Sequence, residues 1–296
     1  MKHLELHFDA GLATVTLNRP EVRNAFNDEV IAELTAVFSE LGDREEVRCV
    51  VLAGKGTAFC AGADLNWMKR MAGYTRDENL ADAAALANML RVLYRCPKPT
   101  IARVQGDVYA GGTGLVAACD IAVSVDTAQY CLSEVKLGLI PATISPYVIR
   151  AMGERAAHRY FLTAERFSAA EALRIGLVHQ VATAAELDAT VAALARHLVQ
   201  AGPQAVSQCK QLVHEVVAAG ELDAKVAGLA QSLVQAGPAA VKACKALVQD
   251  VCGRNITQLL IDRTVQDIAD IRVSDEGREG IQAFLGKRKP GWLPQG

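Results

Sequence analysis

Residues 103–140, RVQGDVYAGGTGLVAACDIAVSVDTAQYCLSEVKLGLI, run through a short strand, a glycine-rich bend, an apolar helix opening near Gly111 and a buried strand. One acidic residue, Glu134, then stands between apolar runs. Glycines at 111, 112 and 114 let the backbone approach a ligand closely and leave N–H groups free where a helix begins. Such groups can hold a phosphate or a developing oxyanion. The stretch alone favours neither, and an ordinary helix start in a tight turn is the plainer reading.

The flanking chain gives this stretch its setting. Upstream, CVVLAGKG (49–56) is a continuous apolar run ended by glycine, as in a strand buried on both faces. It leads into TAFCAGADL (57–65), a second glycine-containing turn that opens a helix. Before it, LELHF and LATVTL read as two strands turning at Asp9-Ala10-Gly11, and Asn27 caps a helix expected to reach about Leu41. Residues 76–95 form a helical pattern fenced off by Pro97 and Pro99 from the strand TIARVQG. Beyond Ile140, short helices are expected at 154–163 and 168–176, the second opened by a capping-box pattern of Ser168 and Glu171, with LVHQVA as a brief strand. This is an α/β pattern with parallel strands, in which ligands bind at the carboxyl ends of strands. Two backbone N–H groups from FCAGADL and YAGGTG aimed at one point would make an oxyanion hole, suited to an enolate or a tetrahedral intermediate. No GxSxG elbow supports a hydrolase, and GDVYAGGTG does not match a dinucleotide fingerprint.

Composition narrows the function classes. The 296 residues are 51% apolar and 22% charged, enough for a full core. A net charge of -2 provides no basic field for nucleic acid or an anionic membrane, and no apolar run approaches a membrane span. The first residues go straight into alternating strand pattern without signal or transit character, and the eight cysteines lie scattered without a Cys-x-x-Cys pair. A reduced, cytoplasmic location is therefore expected. The six histidines show no metal-ligand spacing, so no metal is expected.

From Glu186 onward the pattern is helical, and it repeats. LVQAGP at 198–203 recurs 35 residues later at 233–238, and 17 of 26 positions are identical between 191–216 and 226–251. Two copies are too few for a solenoid, so a duplicated helix–turn–helix unit with a structural role fits better. The expected division is a core over 1–185 carrying the site and a helical oligomerisation region over 186–296.

NRPEVRNAF, AFCAGADL, RVQGDVYAGGTGLVAACDIAV, SEVKLGLIP and AFLGKRKP, in that order, resemble the successive signatures of the crotonase (enoyl-CoA hydratase/isomerase) superfamily. CAGADLNWMKRM, NLADA, SEVKLGLIPATISPYV and IRVSDEGREGIQAFLGKRKP look most like bacterial 3-methylglutaconyl-CoA hydratases, with isohexenylglutaconyl-CoA hydratases close to them. The resemblance implies a spiral of ββα units followed by a helical C-terminal region that trimerises, commonly as a dimer of trimers. It implies an acyl-CoA thioester substrate, with coenzyme A part of the substrate and no separate cofactor. The N–H groups of Ala63 and Gly111 fall where the family holds the thioester oxygen, and Glu134 matches the second of its two catalytic glutamates. Ala61, Gly62, Asp64, Leu65 and Asn66 occupy the turn along which the family lays pantetheine and adenine. Phe284 and Lys287 match a pair that reaches the CoA nucleotide, often from a neighbouring subunit. The family's first glutamate falls on Gly114, which weakens simple hydratase activity and keeps double-bond isomerisation as the alternative. Tyr109, Ser133, Thr143, Ser145 and Tyr147 are the hydroxyl neighbours of interest, and Lys69 and Arg70 are candidate partners for a second substrate carboxylate. A non-catalytic, RNA-binding role is disfavoured by the acidic balance.

Overall fold

The computed structural model describes residues 1–215 and 236–293. Residue 216, the last of the first repeat copy, and residues 226–235 of the second lie outside the described residues.

Chain order produces a spiral. After the antiparallel hairpin of β1 (Leu4–Asp9) and β2 (Leu12–Leu17), closed by Ala10 and Gly11 at positive φ, α1 (Asp28–Asp43) crosses to β3 (Cys49–Gly54). Each following turn of chain lays one strand in a large sheet, one in a small sheet, and then adds helix. β3 is followed by β4 (Ala58–Cys60), α2 (Leu65–Met71) and α3 (Arg76–Arg95). Next come β5 (Thr100–Val104), β6 (Asp107–Tyr109) and α4 (Gly111–Ala118). The third turn has β7 (Ile121–Val125), β8 (Gln129–Cys131), a 3-10 turn at Glu134–Leu137 and α5 (Ser145–Thr163). Short β9 (Phe167–Ser168), α6 (Ala169–Arg174) and β10 (Gln180–Ala182) complete it. The large sheet runs β1-β2-β3-β5-β7-β10, parallel from β2 onward, and the small one β4-β6-β8-β9. Every residue of β3 is buried, as its unbroken apolar run requires of a strand covered on both faces.

Local signals set the helix ends. Asn27 accepts from Val30 N at the start of α1, and Thr75 with Glu78 forms a complete capping box on α3. The helix expected at 154–163 is the second half of α5, which a kink at Gly153 (φ 77°) separates from a first half that opens at Ser145, where Pro146 suits the first turn. One expectation is corrected. The capping box at Ser168 is half made: Ser168 accepts from Glu171 N, but the Glu171 carboxylate turns to Tyr160 and Arg174, and α6 stops at Arg174.

The C-terminal part comprises α7 (Leu187–Gln200), α8 (Pro203–Glu215), α9 (Pro238–Val251), α10 (Gln258–Val273) and α11 (Asp275–Leu285). One apolar core is continuous from Leu4 through Val191 on α7 and Cys244 on α9 to Ile268 on α10. The repeated helices α8 and α9 are placed unequally. Ala240, Cys244, Leu247, Val248 and Val251 of α9 are buried, and α9 packs on α5. Cys209, the α8 counterpart of Cys244, is exposed, and α8 is held by Lys210 Nζ, which donates to Asp120 at 2.7 Å, and by Arg150 Nη2, which donates to Val213 O at 2.6 Å.

Candidate active site

Two turns meet edge to edge beside the small sheet. A side chain at Gly62 (φ 84°) would press on Ala110 Cβ at 3.0 Å and Tyr109 O at 3.1 Å, and one at Gly112 would meet Cys60 O at 2.7 Å. The turn after β4 and the turn after β6 therefore touch only because these positions lack side chains. Ala110, at the junction, holds φ 47° and ψ −121°, a conformation that alanine rarely adopts and that aims the first N–H groups of α4.

The free N–H groups follow from the pairing. Ala63 forms a parallel bridge with Phe26 through its neighbours: Phe26 N donates to Gly62 O at 2.9 Å and Asp64 N to Phe26 O at 3.0 Å. In that geometry the N–H of Ala63 points away from Phe26. Gly111 N stands in the first turn of α4, where no intrahelical acceptor exists. Among the described residues neither N–H donates to the protein, and both residues line one cavity of about 180 Å³.

The rest of the wall comes from three further elements. Ala61, Leu65, Trp67 and Met68 supply the side at α2, residues from Ser133 to Ile144 the base, and Ile268, Arg272, Ile281 and Phe284 the side at α10 and α11. Glu134 is the one carboxylate on the cavity among the described residues. The residue as a whole is half-buried, but its Oε2 is sealed from solvent and has no partner. Burial pushes its pKa up to about 7, opposed only by its own backbone N–H. A carboxyl group balanced there can take and return a proton near neutral pH. The turn that carries it is clamped by α11, where glycines let two backbones touch. A side chain at Gly280 would collide with Leu137 O, and one at Gly138 with Glu276 O.

Gly114 explains the absent second acid. A Cβ there would run into Ile144 Cγ2 and Cβ, so Ile144 fills the space that a side chain at 114 would need.

The other expected residues separate. Ala61, Leu65 and Phe284 line the cavity; Gly62, Asp64, Asn66 and Lys287 do not. Asp64 is committed to structure: it caps α2 by accepting from Asn66 N at 2.8 Å and receives Arg19 Nη2 at 2.9 Å. Burial pushes its pKa up, but Arg19 and the two capping N–H groups outweigh that and hold it below the usual range. Ser133 and Thr143 reach the cavity, whereas Ser145 is spent on Ala142 O, Tyr109 lies under Arg166, and Tyr147 is buried elsewhere with its hydroxyl unpartnered. The expectation for Lys69 and Arg70 is corrected. Both are exposed and off the cavity, since the short α2 turns that face to solvent, where Arg70 pairs with Asp28.

The cation that does line the cavity is Arg272, which sequence reasoning passed over. Its signal was present: on α10 it continues the inward stripe of Leu260, Ile261, Thr264, Val265, Ile268 and Ala269, where an arginine is out of place.

Comparison with known proteins gives one family from both sequence and structure. Residues 7–215 match the family model described as enoyl-CoA hydratase/isomerase. An enoyl-CoA hydratase of Alternaria alternata is 38% identical over 208 residues, 69% of this chain and 66% of that relative's length. A crystal structure of an enoyl-CoA hydratase from Shewanella pealeana superposes with a TM-score of 0.70 at 39% identity, covering 98% of this chain and 96% of that one. One from Mycobacterium avium gives 0.74 at 31% identity, covering 98% and 99%. Among the described residues no helix is long and apolar enough to cross a membrane, and no group of acidic, His and Cys side chains is placed to hold a metal.

Proposed function

The chain belongs to the enoyl-CoA hydratase/isomerase family, and from that premise we propose that it adds water across the double bond of a branched, carboxylated enoyl-CoA. The substrate that fits best is 3-methylglutaconyl-CoA, giving 3-hydroxy-3-methylglutaryl-CoA in leucine breakdown. The observation that carries this reading is the shared cavity: two unpaired N–H groups and one buried, near-neutral carboxyl line the same 180 Å³ space.

In the proposed reaction the thioester oxygen sits between Ala63 N–H and Gly111 N–H. Glu134, ionised, takes a proton from water while the hydroxyl adds to the β-carbon. Negative charge moves onto the thioester oxygen, where the two donors stabilise it. Each such donor lowers the barrier by about 3 kcal/mol in comparable sites. Glu134 then returns the proton to the α-carbon, on the face from which it came. The turn 61–66 would carry the pantetheine and nucleotide, with Phe284 and Lys287 at the mouth. Coenzyme A arrives as part of the substrate, and no separate cofactor is required. Assembly as a homo-trimer or dimer of trimers in the cytoplasm completes the proposal.

Steady-state assay of the purified enzyme with 3-methylglutaconyl-CoA and crotonyl-CoA tests it. Turnover of the first is expected, and its absence overturns the substrate assignment. Gly114 supports a second reading, double-bond isomerisation, because moving a proton between carbons needs one carboxylate. Incorporation of ¹⁸O from labelled water into product separates the two: hydration incorporates it and isomerisation does not.

A further inference from the structure

We infer that Arg272 receives a second carboxylate, at the far end of the acyl chain, and so makes the enzyme selective for enoyl-CoA esters of dicarboxylic acids. This rests on the reading that the cavity binds the acyl group of a CoA thioester.

The observations are independent of the oxyanion turns. Arg272 lines the cavity with its side chain 9% exposed. Its Nη1 donates to Asp82 Oδ2 at 2.8 Å, and Asp82 in turn accepts from Trp67 Nε1 at 2.9 Å, which pins the guanidinium to α2 and α3. Its Nε is buried and has no acceptor among the described residues. A guanidinium stays charged throughout the working pH range and carries five donors, so Asp82 satisfies only part of it. A buried donor left unmade is costly, and more so when charged. Burial itself weighs against the charge of Arg272 and against that of Asp82. A site with no use for the cation would be better filled by an apolar residue.

The surroundings say what the free edge would take. Ile268 and Ile281 give the cavity that Arg272 lines an apolar wall, and the thioester oxygen has its own donors at Ala63 and Gly111. The occupant is thus an acyl chain that is apolar in the middle and anionic at its end. A carboxylate matches the planar fork of a guanidinium, which a hydroxyl or methyl terminus does not. The exposed Lys69 and Arg70 cannot compete, because they face solvent.

The test uses saturated analogues, so it does not depend on turnover. Calorimetric Kd values are measured for glutaryl-CoA and valeryl-CoA, which share chain length and differ in the terminal carboxylate. Full-length enzyme is compared with the double variant Arg272→Met/Asp82→Asn, which leaves no buried charge unpaired. Wild type is expected to prefer glutaryl-CoA by about 100-fold, the fold-change expected of hydrogen bonding to a charged group. The variant is expected to lose that preference, its thermal melt reporting on folding. Equal affinities in wild type overturn the proposal without help from any variant, and so does a preference that survives in a folded variant. Failure of both thioesters to bind wild type overturns it together with the acyl-CoA reading. A glutaryl preference in an enzyme that hydrates no enoyl-CoA upholds Arg272 and removes the hydratase assignment alone.

Discussion

At Glu134 the chemistry and the stability of the protein pull in opposite directions. Its carboxyl has an ordinary value of 4.5 and is raised by burial to about 7 in the folded chain. The folded state therefore holds the proton more tightly than the unfolded one, and stability declines as pH rises from 4.5 through about 7. The loss across that window is on the order of 3 kcal/mol. Glu134→Gln is expected to raise the melting temperature at pH 8 and to leave it nearly unchanged at pH 4.5; an equal effect at both pH values would refute the buried-acid assignment. The same substitution should lower kcat by about 10²–10⁴-fold, the usual contribution of a positioned acid–base group. In the wild type kcat/KM should fall as pH drops below about 7, because the step begins from the ionised form. At Gly114, restoring the missing acid as Gly114→Glu should destabilise the protein by about 1–3 kcal/mol through collision with Ile144. Ile144→Ala in the same chain should recover part of that loss on denaturant titration.

At the scale of elements, glycine contacts decide how the catalytic turn is held. Gly280→Ala forces a methyl group against Leu137 O, so α11 must lift from the turn bearing Glu134. A loss of about 1–3 kcal/mol and a fall in kcat are expected together, whereas unchanged kinetics would separate α11 from the site. The repeat offers a cleaner readout, because its matched cysteines differ in burial. Cys209 on α8 is exposed, while burial raises the Cys244 thiol on α9 well above its ordinary range. Thiol labelling of native protein followed by peptide mass spectrometry should find Cys209 modified and Cys244 protected. The reverse would mean that α8, not α9, is the copy seated in the core. Most of this architecture was legible in the chain: period-two runs gave β1 and β2, CVVLAG gave β3, and the Asn27 cap marked a helix start. The unequal seating of α8 and α9 was not legible, since their apolar positions (Ala205, Val206, Cys209, Leu212 and Val213 against Ala240, Val241, Cys244, Leu247 and Val248) are identical. Arg272 was missed for a related reason: a lone charge on a helix reads as solvated until α2 and α3 are seen closing over it.

The whole molecule encloses its cavity with elements drawn from both halves of the chain. Phe26 and Trp67 come from near the start, and Arg272, Ile281 and Phe284 from near the end, so binding inside should tie the halves together. A CoA thioester at 100 times its Kd should add about 2.7 kcal/mol and raise the melting temperature by several degrees, read by scanning calorimetry. Coenzyme A lacking an acyl group should do less, because it leaves the apolar wall uncovered. The C-terminal helices that shut the cavity belong to the same polypeptide as Glu134, which has a genetic consequence. In a mixed oligomer, a subunit crippled at residue 134 and one crippled at residue 272 would each carry a defective pocket. Neither could lend the other its intact part, so co-expressing the two mutants should yield no complementation, and activity should track only the share of undamaged chains.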